Sequence, residues 1–295
     1  GKYVPIPFNF KSLEILFEEE KSNIIKEKLL ASYPDTKKVS ILDLLDSKDE
    51  VIKEFGEYVY DKVFVHYTAK QWNIPIEQVD TSVINRVPVI LGYDDRYFQD
   101  KYQFMPKNGY NEIFENMLSH KNIDIELQKD AKDLLEIKNN KIYVDGLEYK
   151  GEVIYSGALD ELLSYQYGAL PYRSLNLEFT DYKENYYQPS SVVNYPNDEK
   201  FTRITEFKYL SNQIVKDNTT ILREYPLTYD YKNSKHIPYY AILNDENKKL
   251  YEKYYSLVKD IKNFHLCGRL AEYKYYNMDA VIKRALELYR EIKGE

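Results

Sequence analysis

Sulfur and glycine are scarce in this chain. A single cysteine, Cys267, among 295 residues excludes an internal disulfide. It lies in an apolar run with no metal-ligand spacing around it, so an inert buried thiol is expected. Ten glycines are present but nowhere form a Gly-x-Gly-x-x-Gly cluster, so the strand–turn–helix cradle with which dinucleotide-binding enzymes approach a pyrophosphate is missing. No apolar run approaches the roughly 18 residues of a membrane-spanning helix, and no signal-peptide pattern is visible at the start. These absences lead us to expect a cytoplasmic protein without membrane partners. His66, His120, His236 and His265 lie far apart, without triad or metal spacing, so no metal and no histidine chemistry is expected. The formal charge of −7 is spread along the chain and offers no basic footprint for a nucleic acid.

What is present is an ordinary globular balance, 43% hydrophobic and 30% charged. A chain of this length buries roughly three quarters of its unfolded surface, enough for one large domain or several smaller ones. The 32 tyrosines accompany abundant Lys, Asn and Ile, a bias that makes most of them packing residues. An acidic chain can still bind a small anion through two or three well-placed arginines.

Hydrophobic spacing predicts helices over 12–17, 22–32, 40–45 and 50–65, forming a small bundle that ends at Trp72, after an extended segment 1–12. Segment 73–90, with Pro75 and Pro88 among polar residues, reads as an irregular mobile loop. Beyond Gly109 the pattern gives a helix over 110–120, a strand over 123–127 and a helical turn over 131–135. A hairpin over 141–149 around Asp145-Gly146 and a strand over 152–156 follow. Strands over 174–179, 191–195, 201–209 and 219–225 suggest an antiparallel sheet. The last fifty residues read as helix, strand, glycine loop and helix.

That glycine loop is the densest motif. Gly268-Arg269-Leu270-Ala271-Glu272-Tyr273-Lys274-Tyr275-Tyr276-Asn277-Met278-Asp279 follows the strand Asn263–Cys267 and opens a helix over 280–292, and backbone amides at such a turn are expected to face an anion. Collinear with it are Tyr67-Thr68-Ala69-Lys70-Gln71-Trp72, Asn85-Arg86-Val87-Pro88-Val89, Tyr93-Asp94-Asp95-Arg96-Tyr97-Phe98 and Met105-Pro106-Lys107-Asn108-Gly109-Tyr110. Val153-Ile154-Tyr155-Ser156-Gly157, Tyr172-Arg173-Ser174-Leu175, Thr202-Arg203-Ile204-Thr205-Glu206 and Pro238-Tyr239-Tyr240 complete the set. Together these blocks resemble the UDP-galactopyranose mutases, flavoenzymes that interconvert the pyranose and furanose forms of UDP-galactose.

The resemblance implies an isomerase of cell-wall or capsule biosynthesis with FAD as cofactor, in which N5 of the reduced flavin is the nucleophile at the anomeric carbon. Protein groups then hold the displaced diphosphate and place the sugar. By residue, it implies that Arg86, on a mobile loop, and Arg203, fixed in the sheet, converge on the diphosphate as the catalytic pair. Tyr97, Tyr240 and Tyr275 match phosphate-binding tyrosines, Tyr67 the residue stacked on uracil, and Trp72 the tryptophan beside the sugar. Arg173 and Asn194 match residues of the substrate cleft, while Gly268, Arg269, Met278 and Asp279 match positions lining the flavin. The partner implied is UDP-galactose or a related UDP-sugar, with a homodimer as the candidate assembly.

The implied fold class is α/β of the mixed α+β kind: a helical bundle, an antiparallel sheet domain and the remainder of a discontinuous Rossmann-like flavin domain. Its expected boundaries are a helical substrate and loop domain at 1–105, a flavin-domain piece at 106–165, the sheet domain at 166–244, and a return to the flavin domain at 245–295. The family carries its glycine fingerprint in an N-terminal segment that this sequence does not include. We therefore expect a trimmed part of a longer enzyme, colourless and inactive as an isolated chain, with FAD absent or weakly bound. Departures from the family pattern fall at Val63, Asn73, Leu227 and Asn277, leaving another sugar or nucleotide open. A non-catalytic nucleotide-sugar binding module and a flavin amine-oxidase-like oxidoreductase are the alternatives; the paired arginines disfavour the latter, since an amine substrate gives them nothing to hold.

Overall fold

The computed structural model describes residues 1–72, 87–98 and 100–295, without the side chains of residues 63, 69 and 72. The chain divides into two compact units, one of Gly1–Tyr110 with Leu177–Pro226, the other of Asn111–Asn176 with Leu227–Glu295.

The first unit begins with helices whose caps are written in the sequence. Asn9 accepts from the Ser12 amide at 3.1 Å while Ser12 Oγ accepts from the Asn9 amide at 3.2 Å, a reciprocal box that starts α1 (Phe10–Leu16). After α2 (Glu19–Ser32) and β1 (Lys38–Val39), Ser40 caps α3 (Ile41–Leu45) and Asp49 caps α4 (Glu50–Val59). The helix then widens into a π-helical segment, Tyr60–Val65, before resuming as α5 (His66–Trp72). Leu13, Ile25, Leu29, Ile41, Leu44 and Ile52 are fully buried at the centre of this bundle. Gly56 allows its closest approach, because a Cβ there would lie 2.8 Å from Leu44 Cβ and 3.0 Å from the Leu44 carbonyl carbon.

The same unit contains an antiparallel sheet. β8 (Val192–Asn194) pairs with β9 (Arg203–Glu206), which pairs with β10 (Thr219–Thr228), and the far part of β7 (Tyr172–Tyr182) follows β10 in strand order.

The second unit holds α6 (Tyr110–Leu118), α7 (Ala131–Leu134) and a three-stranded meander of β3 (Leu135–Lys138), β4 (Lys141–Val144) and β5 (Leu147–Tyr149). Both of its turns are two residues long with positive φ, Asn139 and Asn140 at 50° and 57°, Asp145 and Gly146 at 49° and 78°, the geometry that matches strand twist. β6 (Val153–Tyr155) pairs in parallel with β12 (Phe264–Leu266). α8 (Leu159–Leu162), β11 (Tyr240–Ala241) against the start of β7, α10 (Asp245–Tyr255) and α11 (Met278–Lys293) complete the unit, and α9 (Phe207–Ser211) follows β9 in the first. Tyrosines dominate this second core: Tyr172 meets Tyr273 edge-on at 5.3 Å and Tyr229 at 5.7 Å, with Tyr251 stacked on Tyr273 at 5.7 Å.

Four sequence expectations need correction. Residues 123–127 are not a strand; Ile123, Ile125 and Leu127 alternate correctly but stand exposed with no strand pairing among the described residues. The run 201–209 is strand only at Arg203–Glu206, then turns helical where Lys208 Nζ reaches back to the Asn185 carbonyl at 2.8 Å. β3 is a strand that the spacing does not predict. Within 73–90, residues 73–86 lie outside the described residues, while Val89–Ile90 (β2) pairs antiparallel with β1 instead of being irregular.

Candidate functional site

In the first unit the sheet lines up Asn194, Arg203 and Glu224, because Arg203 is the register partner of Asn194 on β8 and of Glu224 on β10. Directly paired residues of antiparallel strands point to one face. Arg203 Nε lies 2.8 Å from Glu224 Oε2, with the glutamate nearly buried and the arginine side chain 29% exposed. The ion pair keeps the guanidinium on this face of the sheet, and a planar guanidinium is the group that fits a diphosphate. Asn194 Oδ1 is buried without a hydrogen bond among the described residues.

The next register row places Arg223 on the opposite face. Its Nη2 donates to the Tyr182 and Tyr187 hydroxyls at 2.8 and 3.2 Å, and the guanidinium lies over both rings. Those tyrosines raise its already high pKa, and the cluster staples β10 to β7 and the segment after it.

Tyr67 is half-buried on α5, and Tyr97 is exposed with its ring edge-on to Phe98 at 4.9 Å. Arg86, the expected partner of Arg203, lies outside the described residues, as do Asn73 and the side chains of Trp72 and Val63.

The second unit brings together a separate set. Tyr240 is the register partner of the buried Arg173, whose Nη1 donates to Thr228 Oγ1 at 3.1 Å and whose pKa burial pushes down. The Tyr240 ring stacks on Tyr275 at 6.2 Å, and the Arg269 guanidinium sits 4.8 Å above the Tyr275 ring. Arg269 Nε also donates to the Tyr276 carbonyl at 2.6 Å, so the arginine is held from two directions.

Gly268 adopts φ of +114°, which only glycine takes without strain. Its amide faces an anion, as the sequence suggested, but one of the chain's own: it donates to Glu272 Oε2 at 3.0 Å, and Glu272 Oε1 accepts from Arg284 Nε at 3.1 Å. Met278 and Asp279 are exposed in the first turn of α11. Cys267 is buried and free, and burial raises its thiol pKa.

Sequence reasoning missed Glu224, Lys70, Glu272 and Arg284. Lys70 and Glu272 stand inside motifs already singled out, and Glu272 is one helical turn past Gly268, a spacing that could have exposed it. Glu224 could be found only through strand register, which the sequence does not specify.

Among the described residues no helix is long and apolar enough to cross a membrane. Comparison with known proteins agrees with the motifs. The chain is 33% identical over 291 residues to the dTDP-fucopyranose mutase of Escherichia coli, covering 97% of this chain and 74% of that protein. It is 34% identical over 288 residues to a protein of Klebsiella pneumoniae named "Probable UDP-galactopyranose mutase", covering 97% and 70%. The UDP-galactopyranose mutase of Mycoplasma pneumoniae strain M129 is 31% identical over 284 residues, covering 95% and 71%. The profile of the UDP-galactopyranose mutase family matches residues 62–275, and the chain, a mixture of helices and antiparallel sheets built around these arginines and tyrosines, belongs to that family.

Proposed function

We propose that the chain serves a flavin-dependent mutase reaction that interconverts UDP-galactopyranose and UDP-galactofuranose. The observation that carries this reading is the row Asn194, Arg203 and Glu224, which presents one ion-paired guanidinium from a sheet strand. Arg203 neutralises charge that builds on the departing diphosphate, and Glu224 keeps it beside the strand through an ion pair. Arg86 adds the second guanidinium, Tyr67 stacks on the base, Trp72 lies beside the sugar, Tyr97 offers its hydroxyl to phosphate oxygens, and Asn194 offers its amide to the substrate. In the second unit Tyr240 and Tyr275 offer hydroxyls to phosphate oxygens, and Arg173 supports Tyr240 from the neighbouring strand.

The stretches 106–165 and 245–295, most of which fall in the second unit, are proposed as returning portions of a Rossmann-like flavin domain, and 1–105 and 166–244 as substrate domains. Their parallel β6–β12 pair supports this, as does α11, whose Met278, Ile282, Leu286 and Tyr289 are each more than half exposed along one stripe. Reduced flavin, when bound, supplies the nucleophile at N5. Gly268, Arg269, Met278 and Asp279 fit such a group: a glycine turn that a side chain would strain, a cation stacked in place, and a helix start. Glu272 must give up the Gly268 amide before a phosphate takes it, an observation that also favours a second reading, a nucleotide-sugar binding module without flavin. The likeness to a dTDP-fucopyranose mutase keeps dTDP-linked 6-deoxy sugars as alternative substrates.

Calorimetric titration of UDP-galactopyranose, with GDP-mannose as control, tests the reading. Binding of the first and not the second is expected. Equal affinity, or no binding, contradicts it, and a yellow preparation with bound FAD contradicts the weak-cofactor expectation.

A further inference from the structure

One side chain binds α5 to the connection between β8 and β9. Lys70 Nζ donates to the carbonyls of Tyr195 at 2.8 Å, Glu199 at 2.7 Å and Phe201 at 3.3 Å. An ammonium group has three N–H donors and no acceptor, so these carbonyls use all of its capacity and leave none for a ligand. The arch they belong to is tightly built: the Tyr195 amide donates to the Thr202 carbonyl at 2.8 Å, and the Tyr195 and Phe201 rings meet edge-on at 4.8 Å. The arch starts directly after Asn194 and ends directly before Arg203, the register pair that opens the candidate diphosphate row.

The other end of the link is equally placed. Lys70 is three residues from Tyr67 on α5, so the two share a helix face. The preceding π-helical segment adds a residue to the turn and thereby sets which face of α5 meets the arch. Burial lowers the Lys70 pKa, and the nearby Glu199 and Asp198 oppose that shift by favouring the charged form. A charge is therefore kept in a partly dry place to join two segments more than a hundred residues apart in sequence.

We infer that Lys70 is a positioning residue for nucleotide binding: it fixes the helix carrying Tyr67 to the arch that joins Asn194 to Arg203, and sets affinity without touching the ligand. This rests on the nucleotide-sugar reading above and adds to it a group outside the expected contact set. Lys70→Met keeps the length and apolar stem but removes the three donors, whereas Lys70→Arg keeps charge and donors.

The experiment measures UDP affinity by calorimetry, and amide hydrogen exchange over 195–202, in the parent, Lys70→Met and Lys70→Arg chains. Lys70→Met is expected to weaken UDP about tenfold or more and to speed exchange in the arch, with α4 exchange unchanged; Lys70→Arg is expected to recover affinity to within about threefold of the parent. Should Lys70→Met fail to fold, Lys70→Gln, which retains two donors, takes its place in the affinity measurement, and a loss of UDP binding is again expected. Parent-like UDP affinity in the methionine or glutamine variant overturns the inference and leaves the nucleotide reading intact. A parent chain that binds neither UDP nor dTDP overturns both.

Discussion

Replacing Asp160 by asparagine should stabilise the protein at neutral pH and remove a pH dependence of known sign. Asp160 is 1% exposed, at the start of α8. Its Oδ2 accepts from the Leu170 amide at 2.8 Å, while Oδ1 is buried without a hydrogen bond among the described residues. Burial pushes the carboxyl up from 3.8 to about 6, against the pull of backbone amides that favour the carboxylate. A difference of about two pH units between folded and unfolded chains corresponds to roughly 3 kcal/mol. Because the folded value is the higher one, the favourable contribution of the protonated group is complete below about pH 4. It is lost as pH rises through about 6, where the folded chain must ionise a buried acid. Asparagine keeps an acceptor for Leu170 and never ionises. Urea unfolding of parent and variant across that range should show a stability difference near zero at about pH 4, growing to about 3 kcal/mol in favour of Asp160→Asn above about pH 7. A difference that does not change with pH, or a variant less stable at neutral pH, refutes the reasoning.

Gly56→Ala should destabilise the helical bundle by about 1–3 kcal/mol, since the new methyl would meet Leu44 backbone and Cβ at 3.0 and 2.8 Å; a melting curve equal to the parent's would contradict that packing. Tyr254→Phe should cost about 1–3 kcal/mol in denaturant unfolding, because the hydroxyl donates to the Gly168 carbonyl at 2.7 Å and accepts from the Tyr167 amide at 2.9 Å, leaving both unsatisfied. Gly268→Ala should cost about 1–2 kcal/mol through its φ of +114°, even though the nearest atom to the added methyl, Ser156 Cβ, is an unstrained 3.8 Å away. A neutral result there would mean the turn relaxes.

Local chemistry was legible where it was local. The helices beginning near Ser40 and Glu50, the Asp145-Gly146 hairpin and the helix–strand–loop–helix close of the chain all depend on neighbours in sequence, whereas the first helix starts at Phe10, inside the segment 1–12 read as extended. Elements that depend on a distant partner were not. Val89–Ile90 became a strand because Lys38–Val39 pairs with it, and Ile123–Leu127 stayed irregular despite its alternation. The site followed the same division. Arg203 and the Gly268 loop were visible as motifs, whereas Glu224 beside Arg203 and the three carbonyls around Lys70 exist only once strand register and chain reversal bring them together. The amide of Gly268 shows the reverse case: the sequence predicted an anion site, and the anion found there is the chain's own Glu272.

The most direct test is a ligand and mutant cycle: affinities of UDP and uridine for the parent and for Arg203→Ala, followed through the fluorescence of Trp72, the single tryptophan. If Arg203 reads the diphosphate, UDP should bind the parent about 10- to 100-fold more tightly than uridine, and Arg203→Ala should erase most of that gap while leaving uridine nearly unchanged. An equal loss for both ligands, or no preference for UDP in the parent, would contradict it.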